Sequence, residues 1–225
     1  MPEIAIAVDG PGSSGKGTVA RGVARALGYQ YIDTGAMYRA VALLAKDRSI
    51  SWTDGPAVAK LAAGLRFQFS WDGDILRMRV DGQDLTTAIR KDDIGRGASD
   101  ISVHPEVRTA LLSLQQGLGR EGAVVMDGRD IGTVVLPEAR LKIFLDAELE
   151  ERARRRHDEM IRRGELASYQ DVYAALEARD RQDRERKVAP LTQAKDAVYI
   201  DTSQLTIREA TEVVLALARA RGAGA

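Results

Sequence analysis

"VDGPGSSGKGTVA", residues 8–20, decides how this chain is read. Gly10, Pro11, Gly12, Ser13, Ser14, Gly15 and Lys16 match the pattern G-x-x-x-x-G-K, with Gly17 where a hydroxyl ordinarily follows the lysine and Thr18 one place later. Glycines let a backbone wrap closely around an anion, and successive N–H groups then point at it together with the first turn of the following helix. A lysine in this register reaches nucleotide phosphates, and a hydroxyl reaches the coordination sphere of a bound Mg²⁺. The flanks are those the motif requires. Ile4–Val8 is a short β-branched run suited to a buried parallel strand. "KGTVARGVARALG" has helical spacing, with Val19, Val23, Ala26 and Leu27 expected on one face and Gly28 as its stop. A phosphate loop is therefore expected over residues 10–18, with Thr18 serving the metal directly or through water.

Outward from the loop, "YQYID" (29–33) reads as a second strand and "AMYRAVALLAKD" (36–47) as a helix. Strand, loop, helix, strand and helix at these lengths begin an α/β fold with a central parallel sheet. The period changes near Gly64. "LRFQFSWDGDILRMRVDGQDLT" (65–86) alternates with period two, placing Leu65, Phe67 and Phe69 on one face, then Leu76, Met78 and Val80. "WDGD" and "VDG" supply its turns, so an antiparallel excursion is expected over about 64–93. Beyond it, "PEVRTALLSLQQGLG" is helical, and "AVVMD" and "LKIFLD" are buried strands that both end in aspartate. Two charged helices (147–164 and 169–187), a strand "AVYID" and a closing helix (206–222) complete the pattern, with "GAGA" at the end expected to fray.

At 225 residues the chain can bury a sizeable core, as one domain or as a domain with a small insertion. A formal net charge of zero argues against a general nucleic-acid or anionic-membrane binder, so no nucleic-acid and no membrane partner is expected. The absence of cysteine excludes disulfide and thiolate chemistry and agrees with a cytoplasmic setting. The apolar run Ile4–Val8, preceded by acidic Glu3, is too short for a secretion signal, and no stretch is long enough to span a bilayer. With two histidines and no ligand spacing, a zinc site is rejected.

Two arginine-rich segments accompany the loop. Residues 148–163 carry six arginines against five acids, including Arg152, Arg155 and Arg156; residues 179–187 carry five basic residues against three acidic. Each alone fits a solvated, salt-bridged helix. Together with a phosphate loop they also fit neutralisation of a polyphosphate donor and a phosphorylated acceptor brought together. Asp127, at the end of "AVVMD", either faces Mg²⁺ or its waters or caps the turn "GRDIG"; Asp9 either orients the loop and metal water or caps a turn.

"VDGPGSSGKGT", "DTGAMYRA" (33–40), "DGRDIGTVVLPEARLKIFLDA" (127–147) and "RDRQDRERKVAPL" (179–191) resemble the bacterial cytidylate kinases of the nucleoside monophosphate kinase family. The segments are spread over nearly the whole chain, and the Gly-Lys-Gly-Thr variant is typical of that family. The resemblance implies a P-loop NTPase three-layer α/β fold: a core over 1–63 and 94–225, an acceptor-binding insertion over 64–93, and an arginine-rich helical lid over about 153–170. It implies transfer of the γ-phosphate of ATP to CMP or dCMP with Mg²⁺, by a monomer. Ser99, Arg108 and Asp130 match positions around cytosine, where Asp130 or Ser99 accepts from the N4 amino group and Arg108 donates to N3 and O2. Thr34, Arg179 and Asp183 match sugar-side positions, Arg39, Arg129 and Arg186 lie near the acceptor phosphate, and Tyr38 packs against the acceptor or within its helix. Lys16, Arg129, Arg152, Arg155 and Arg156 would carry the catalysis, with Thr18 and Asp127 toward the metal. No general base is expected, because a phosphate monoester oxygen is already largely anionic near neutral pH, its second pKa being about 6. The rival readings are a related small kinase acting on UMP or another acceptor, and a regulatory protein that binds ATP without transferring it.

Overall fold

The computed structural model describes residues 4–73, 75–120 and 122–224. Glu3, Asp74 of the expected "WDGD" turn and the terminal Ala225 lie outside them. The chain divides into two compact units, residues 1–29 with 122–225 and residues 30–121. The first unit opens with β1 (Ala5–Asp9) and α1 (Lys16–Leu27). The second holds β2 (Gln30–Asp33), α2 (Thr34–Asp47), α3 (Gly55–Ala63), β3 (Phe67–Asp72), β4 (Ile75–Val80), β5 (Gln83–Asp84), α4 (Asp92–Ile101) and α5 (Pro105–Gly119). The first unit resumes with β6 (Val124–Gly128), β7 (Leu141–Asp146), α6 (Leu149–Arg162), α7 (Tyr169–Glu185), β8 (Val198–Asp201) and α8 (Ile207–Ala220).

In the first unit the parallel strands run β6-β1-β7-β8. Their sequences are near-continuous apolar runs because both faces are covered: Ile6, Val8, Val125, Met126, Leu141 and Leu145 are all fully buried. The register sets Val8 opposite Asp127, Asp9 opposite Gly128 and Asp146 opposite Asp201. Four carboxylates thus gather at the C-terminal edge of the sheet, the edge at which open α/β sheets bind ligands. Helices α1 and α8 pack side by side against the strands. Helix α8 starts at a reciprocal capping box between Thr206 and Glu209.

Helix α1 stops at Gly28, whose φ of 69° lies in the left-handed region that glycine tolerates, as expected. Its buried stripe is Val19, Ala20, Val23 and Ala24, while Ala26 is exposed. At 3.6 residues per turn Ala26 sits about a quarter turn from the centre of that stripe. The tail also differs from expectation. Ala223 is buried and its N–H bonds the Ala218 carbonyl at 3.0 Å, so residues up to Ala223 close against the end of α8 rather than fray.

In the second unit β3, β4 and β5 form an antiparallel sheet within the expected excursion. Phe67, Phe69, Met78 and Val80 supply its buried face, as the alternation predicts. Asp81 and Gly82, at φ 50° and 83°, form the two-residue turn between β4 and β5. Both central residues at positive φ make the primed turn that matches strand twist, which explains the Asp-Gly pair. Helices α3 and α4 have no counterpart in the sequence reading. For α3 the signals are present: Asp54 accepts from Ala57 N–H at 3.0 Å and Pro56 occupies the first turn. For α4, Gly95 and Gly97 lower intrinsic propensity. Burial of Ile94, Ala98 and Ile101 overrides it, and Gly97 leaves room for the Trp52 ring, which a Cβ there would strike.

Candidate functional site

The loop after β1 is a cradle for an anion. Gly10, Ser13 and Gly15 all have positive φ, 150°, 59° and 86°. A Cβ on Gly10 would overlap the Leu145 carbonyl, so only glycine allows the chain to leave β1 this closely. Gly15 then caps α1, its carbonyl accepting from Thr18 and Val19 N–H at 3.1 and 3.0 Å. Lys16 is buried on the first turn, and its Nζ donates to the Pro11 carbonyl at 3.1 Å, arching over the loop. The positive end of α1 and the Lys16 ammonium therefore stand together, as a nucleotide phosphate requires. Ser14 is fully buried with no hydrogen-bond partner for Oγ.

Beside the loop, β6 delivers Asp127, then Arg129 and Asp130, into a single π-helical turn over Ile131–Val135. The N–H groups of Ile131 and Gly132 both donate to the Asp9 carboxylate at 2.7 Å. Asp9 therefore caps the "GRDIG" turn, a role the sequence reading offered to Asp127. Burial pushes the Asp9 carboxyl up to about 7, against the pull of those two N–H groups; Asp130 raises it further and Lys16 lowers it. Asp127 is itself 5% exposed at the strand end.

Arg129 Nε donates to Asp183 at 2.8 Å, and Arg186 reaches Asp130 at 3.4 Å and Asp183 at 3.6 Å. Burial opposes the charge on Asp183, but Arg129, Arg179 and Arg186 outweigh it and hold the carboxyl below its ordinary value. Burial likewise opposes the charge on Arg129, and Asp183, Asp127 and Asp180 hold that guanidinium above its ordinary value. Arg129, Asp130, Arg179, Asp183 and Arg186, distant in sequence, are thus assembled as one buried polar cluster from the end of β6 and the end of α7.

The arginines of α6 and its C-terminal cap divide into four environments. Arg152 is 3% exposed; it donates to the Ala147 carbonyl at 2.8 Å and the Gly12 carbonyl at 3.3 Å, and pairs with Asp180 at 2.6 Å. Arg155 bonds Glu151 at 2.7 Å, the Thr202 hydroxyl at 3.1 Å and the Thr202 carbonyl at 2.6 Å. Arg156 is half-buried and pairs with Glu159 at 3.1 Å, whereas Arg154 and Arg163 form the exposed salt-bridged face. Helices α6 and α7 share a small apolar cluster of Ala153, Val172 and Leu176, which holds them as a hairpin. The sequence reading missed Arg152's partner Asp180, and it missed Thr202. Asp180 lies inside the quoted basic run, but nothing local distinguishes it from Asp183.

In the second unit Asp33 caps α2, accepting from Ala36 N–H at 2.8 Å and pairing with Arg39 at 2.7 Å. Thr34 is buried on the first turn. The Arg108 guanidinium of α5 lies 5.7 Å from the Tyr38 ring centroid, a cation–π arrangement, and donates to the Ser102 carbonyl at 3.4 Å. Ser99, one turn earlier on α4, donates to the Gly95 carbonyl at 3.4 Å, and its own carbonyl accepts from Ser102 Oγ at 2.8 Å. The structure thus joins Tyr38 to Arg108, and Ser102, whose carbonyl Arg108 grips, bonds back to Ser99 through its hydroxyl. His104 bonds the Trp52 carbonyl at 2.9 Å, and the Trp52 indole donates to Ala42 at 2.9 Å; these residues hold packing, not chemistry.

Among the described residues, no group of three or more His, Cys, Asp or Glu could hold a metal ion. Mg²⁺ needs no such group, because it keeps several waters and uses one or two carboxylates with substrate phosphates. Thr18 stands exposed on the first turn of α1 and Asp127 is buried at the end of the neighbouring strand β6, a hydroxyl and a carboxylate of the kinds such an ion takes. No helix among the described residues is long and apolar enough to cross a membrane.

Comparison with known proteins identifies a family. The family described as "Cytidylate kinase" matches residues 6–220. A cytidylate kinase of Citrifermentans bemidjiense is 46% identical over 211 residues, which cover 94% of this chain and 91% of the relative. That of Neisseria gonorrhoeae is 48% identical over 210 residues, covering 93% and 94%. That of Enterococcus faecalis is 44% identical over 222 residues, covering 99% and 98%.

Proposed function

The chain belongs to the cytidylate kinase family, and from that premise we propose how its residues divide the work of ATP-dependent phosphorylation of CMP or dCMP. The triphosphate of ATP rests on Gly10, Pro11, Gly12, Ser13, Ser14, Gly15, Lys16, Gly17 and Thr18. The observation that carries this is the positive-φ cradle between β1 and α1 with Lys16 arched over it. Thr18 and Asp127 would hold Mg²⁺ or its waters, and the ion would supply charge neutralisation at the phosphates.

For the acceptor we assign Thr34, Tyr38, Arg39, Ser99 and Arg108, and likewise Arg129, Asp130, Arg179, Asp183 and Arg186, as binding residues. Asp130 accepts from the cytosine amino group, a pattern uracil does not offer. Two of these arginines are already ion-paired in buried surroundings, Arg129 with Asp183 and Arg186 with Asp130. Such pre-positioned cations stabilise developing charge without reorganisation at the moment of reaction. The acceptor phosphate oxygen attacks in line, its charge making a general base unnecessary. Lys16, Arg129, Arg152, Arg155 and Arg156 neutralise the transferring group, Arg152 from its buried seat against Gly12 and Asp180. Residues about 153–170, most of α6 and the link to the start of α7, serve as a lid that excludes water. Residues 64–93 serve as the acceptor-side insertion of a monomeric, cytoplasmic enzyme that engages neither nucleic acid nor membrane.

The experiment that tests this is a coupled ADP-release assay with ATP, Mg²⁺ and a panel of CMP, dCMP, UMP, AMP and GMP. Turnover should be highest with CMP or dCMP. Equal turnover with UMP would remove the role given to Asp130.

A further inference from the structure

Three carbonyls of the loop that cradles the phosphates are held by side chains of the first unit. Lys16 takes that of Pro11, Arg152 that of Gly12, and Thr202 that of Ser14. In a trans peptide the C=O and the following N–H point in opposite directions. A side chain that captures the Ser14 carbonyl therefore turns the Gly15 N–H the other way. Lys16 and Arg152 belong to segments already read as functional. Thr202, in the turn after β8, belongs to none, yet it is 3% exposed and bonds residues of three separate segments.

The Thr202 hydroxyl lies 3.0 Å from both the Ser14 and Asp146 carbonyls, which share its single hydrogen, and accepts from Arg155 Nη1 at 3.1 Å. Its backbone is held as well: the N–H bonds the Asp146 carbonyl at 2.8 Å and the carbonyl accepts from Arg155 Nη2 at 2.6 Å. One small hydroxyl thus joins the loop after β1, the end of β7 and an arginine of α6. A β-branched residue suits the task, because its χ1 is stiff and holds the hydroxyl in one place.

We infer that Thr202 is a positioning residue for the nucleotide donor: its hydroxyl orients the Ser14–Gly15 peptide of the loop and stations Arg155 beside it. This rests on the reading of residues 10–18 as the ATP site. Thr202→Val keeps the shape and removes the hydroxyl, so the loop peptide and Arg155 lose their common anchor. Affinity for ATP should fall about tenfold, the range expected when a bond involving a charged group is lost. The KM for CMP should stay within about twofold of wild type.

The test measures KM for ATP and for CMP, and by calorimetry the affinity for a non-hydrolysable ATP analogue, for wild type, Thr202→Val, Thr202→Ala and Thr202→Ser. Loss of ATP affinity in the Val and Ala variants, with recovery in Ser, supports the inference, and Ala serves alone if Val does not fold. Unchanged analogue affinity in a folded Val or Ala variant overturns it, even where the melting temperature falls. So does equal loss in the Ser variant, which would assign the effect to the methyl group. Wild-type protein that binds the analogue but does not phosphorylate CMP would refute the kinase reading while leaving the binding comparison decisive.

Discussion

Replacement of Asp9 by Asn should change how stability depends on pH. Asp9 is 3% exposed and accepts two backbone N–H groups at 2.7 Å, with Lys16 and Asp130 as its charged neighbours and the Lys142 stem packed against Gly132. Its carboxyl is raised from 3.8 to about 7, chiefly by burial. Below the unfolded value both states hold the proton and nothing is lost. Between the two values the folded protein keeps a proton that the unfolded chain has released, so stability falls as pH rises. Above the folded value the loss is complete and constant. From pH 5 to 8 the group therefore removes roughly 3 kcal/mol, two pKa units at about 1.4 kcal/mol each. Asparagine does not titrate, keeps one acceptor for the turn and sets an amide N–H₂ against the second donor. The absolute stability of the variant reflects that mismatch, but the pH dependence of the difference isolates the proton. Urea unfolding of wild type and Asp9→Asn at pH 5, 6, 7 and 8 measures it. Wild type should lose roughly 3 kcal/mol relative to the variant across this range. Parallel pH curves would refute the reasoning, showing that the two N–H bonds outweigh burial and keep the carboxylate ionised.

Lys16→Ala should lower kcat by about 10²-fold or more while circular dichroism stays native, because a preorganised charge is removed from the phosphates; a near-wild-type rate would sink the assignment. Asp130→Ala should depress the specificity constant for CMP while the KM for ATP holds, and an unchanged acceptor constant counts against its place at cytosine. Thr18→Val should shift the Mg²⁺ concentration needed for half-maximal rate upward, and an identical titration removes Thr18 from the metal's surroundings. Arg152→Ala strands the buried Asp180 carboxylate, whose Oδ1 already has no hydrogen-bond partner, and should cost about 3–5 kcal/mol in chemical unfolding. A loss below about 1 kcal/mol would show that Asp180 finds water or another cation, since that is the range of an exposed pair.

The local features of the fold were legible because each rests on chemistry carried by neighbouring residues. Three glycines, a lysine and a strand of β-branched residues make the loop wherever they occur in that order, and Asp81-Gly82 makes the primed hairpin because both residues tolerate positive φ. The strand-end aspartates were visible as letters. Helix α4 was not legible, since its two glycines argue against a helix until the Trp52 ring is known to lie on one of them. The outward turn of Ala26 on α1 escaped for a related reason: a periodic pattern is satisfied by more than one choice of buried face until the neighbours are placed.

The sequence alone determined the phosphate loop, the α/β order, the antiparallel excursion and the residue types gathered near the loop. Tertiary structure decided which of those residues work together. Asp9 caps Ile131 across 122 positions, Arg152 reaches Gly12 across 140, and Thr202 holds Ser14 across 188. No local propensity encodes such pairs. They exist because parallel register brings the ends of β1, β6, β7 and β8 to one edge, where a buried carbonyl or carboxylate must find its hydrogen-bond partner from whatever segment the sheet has placed beside it.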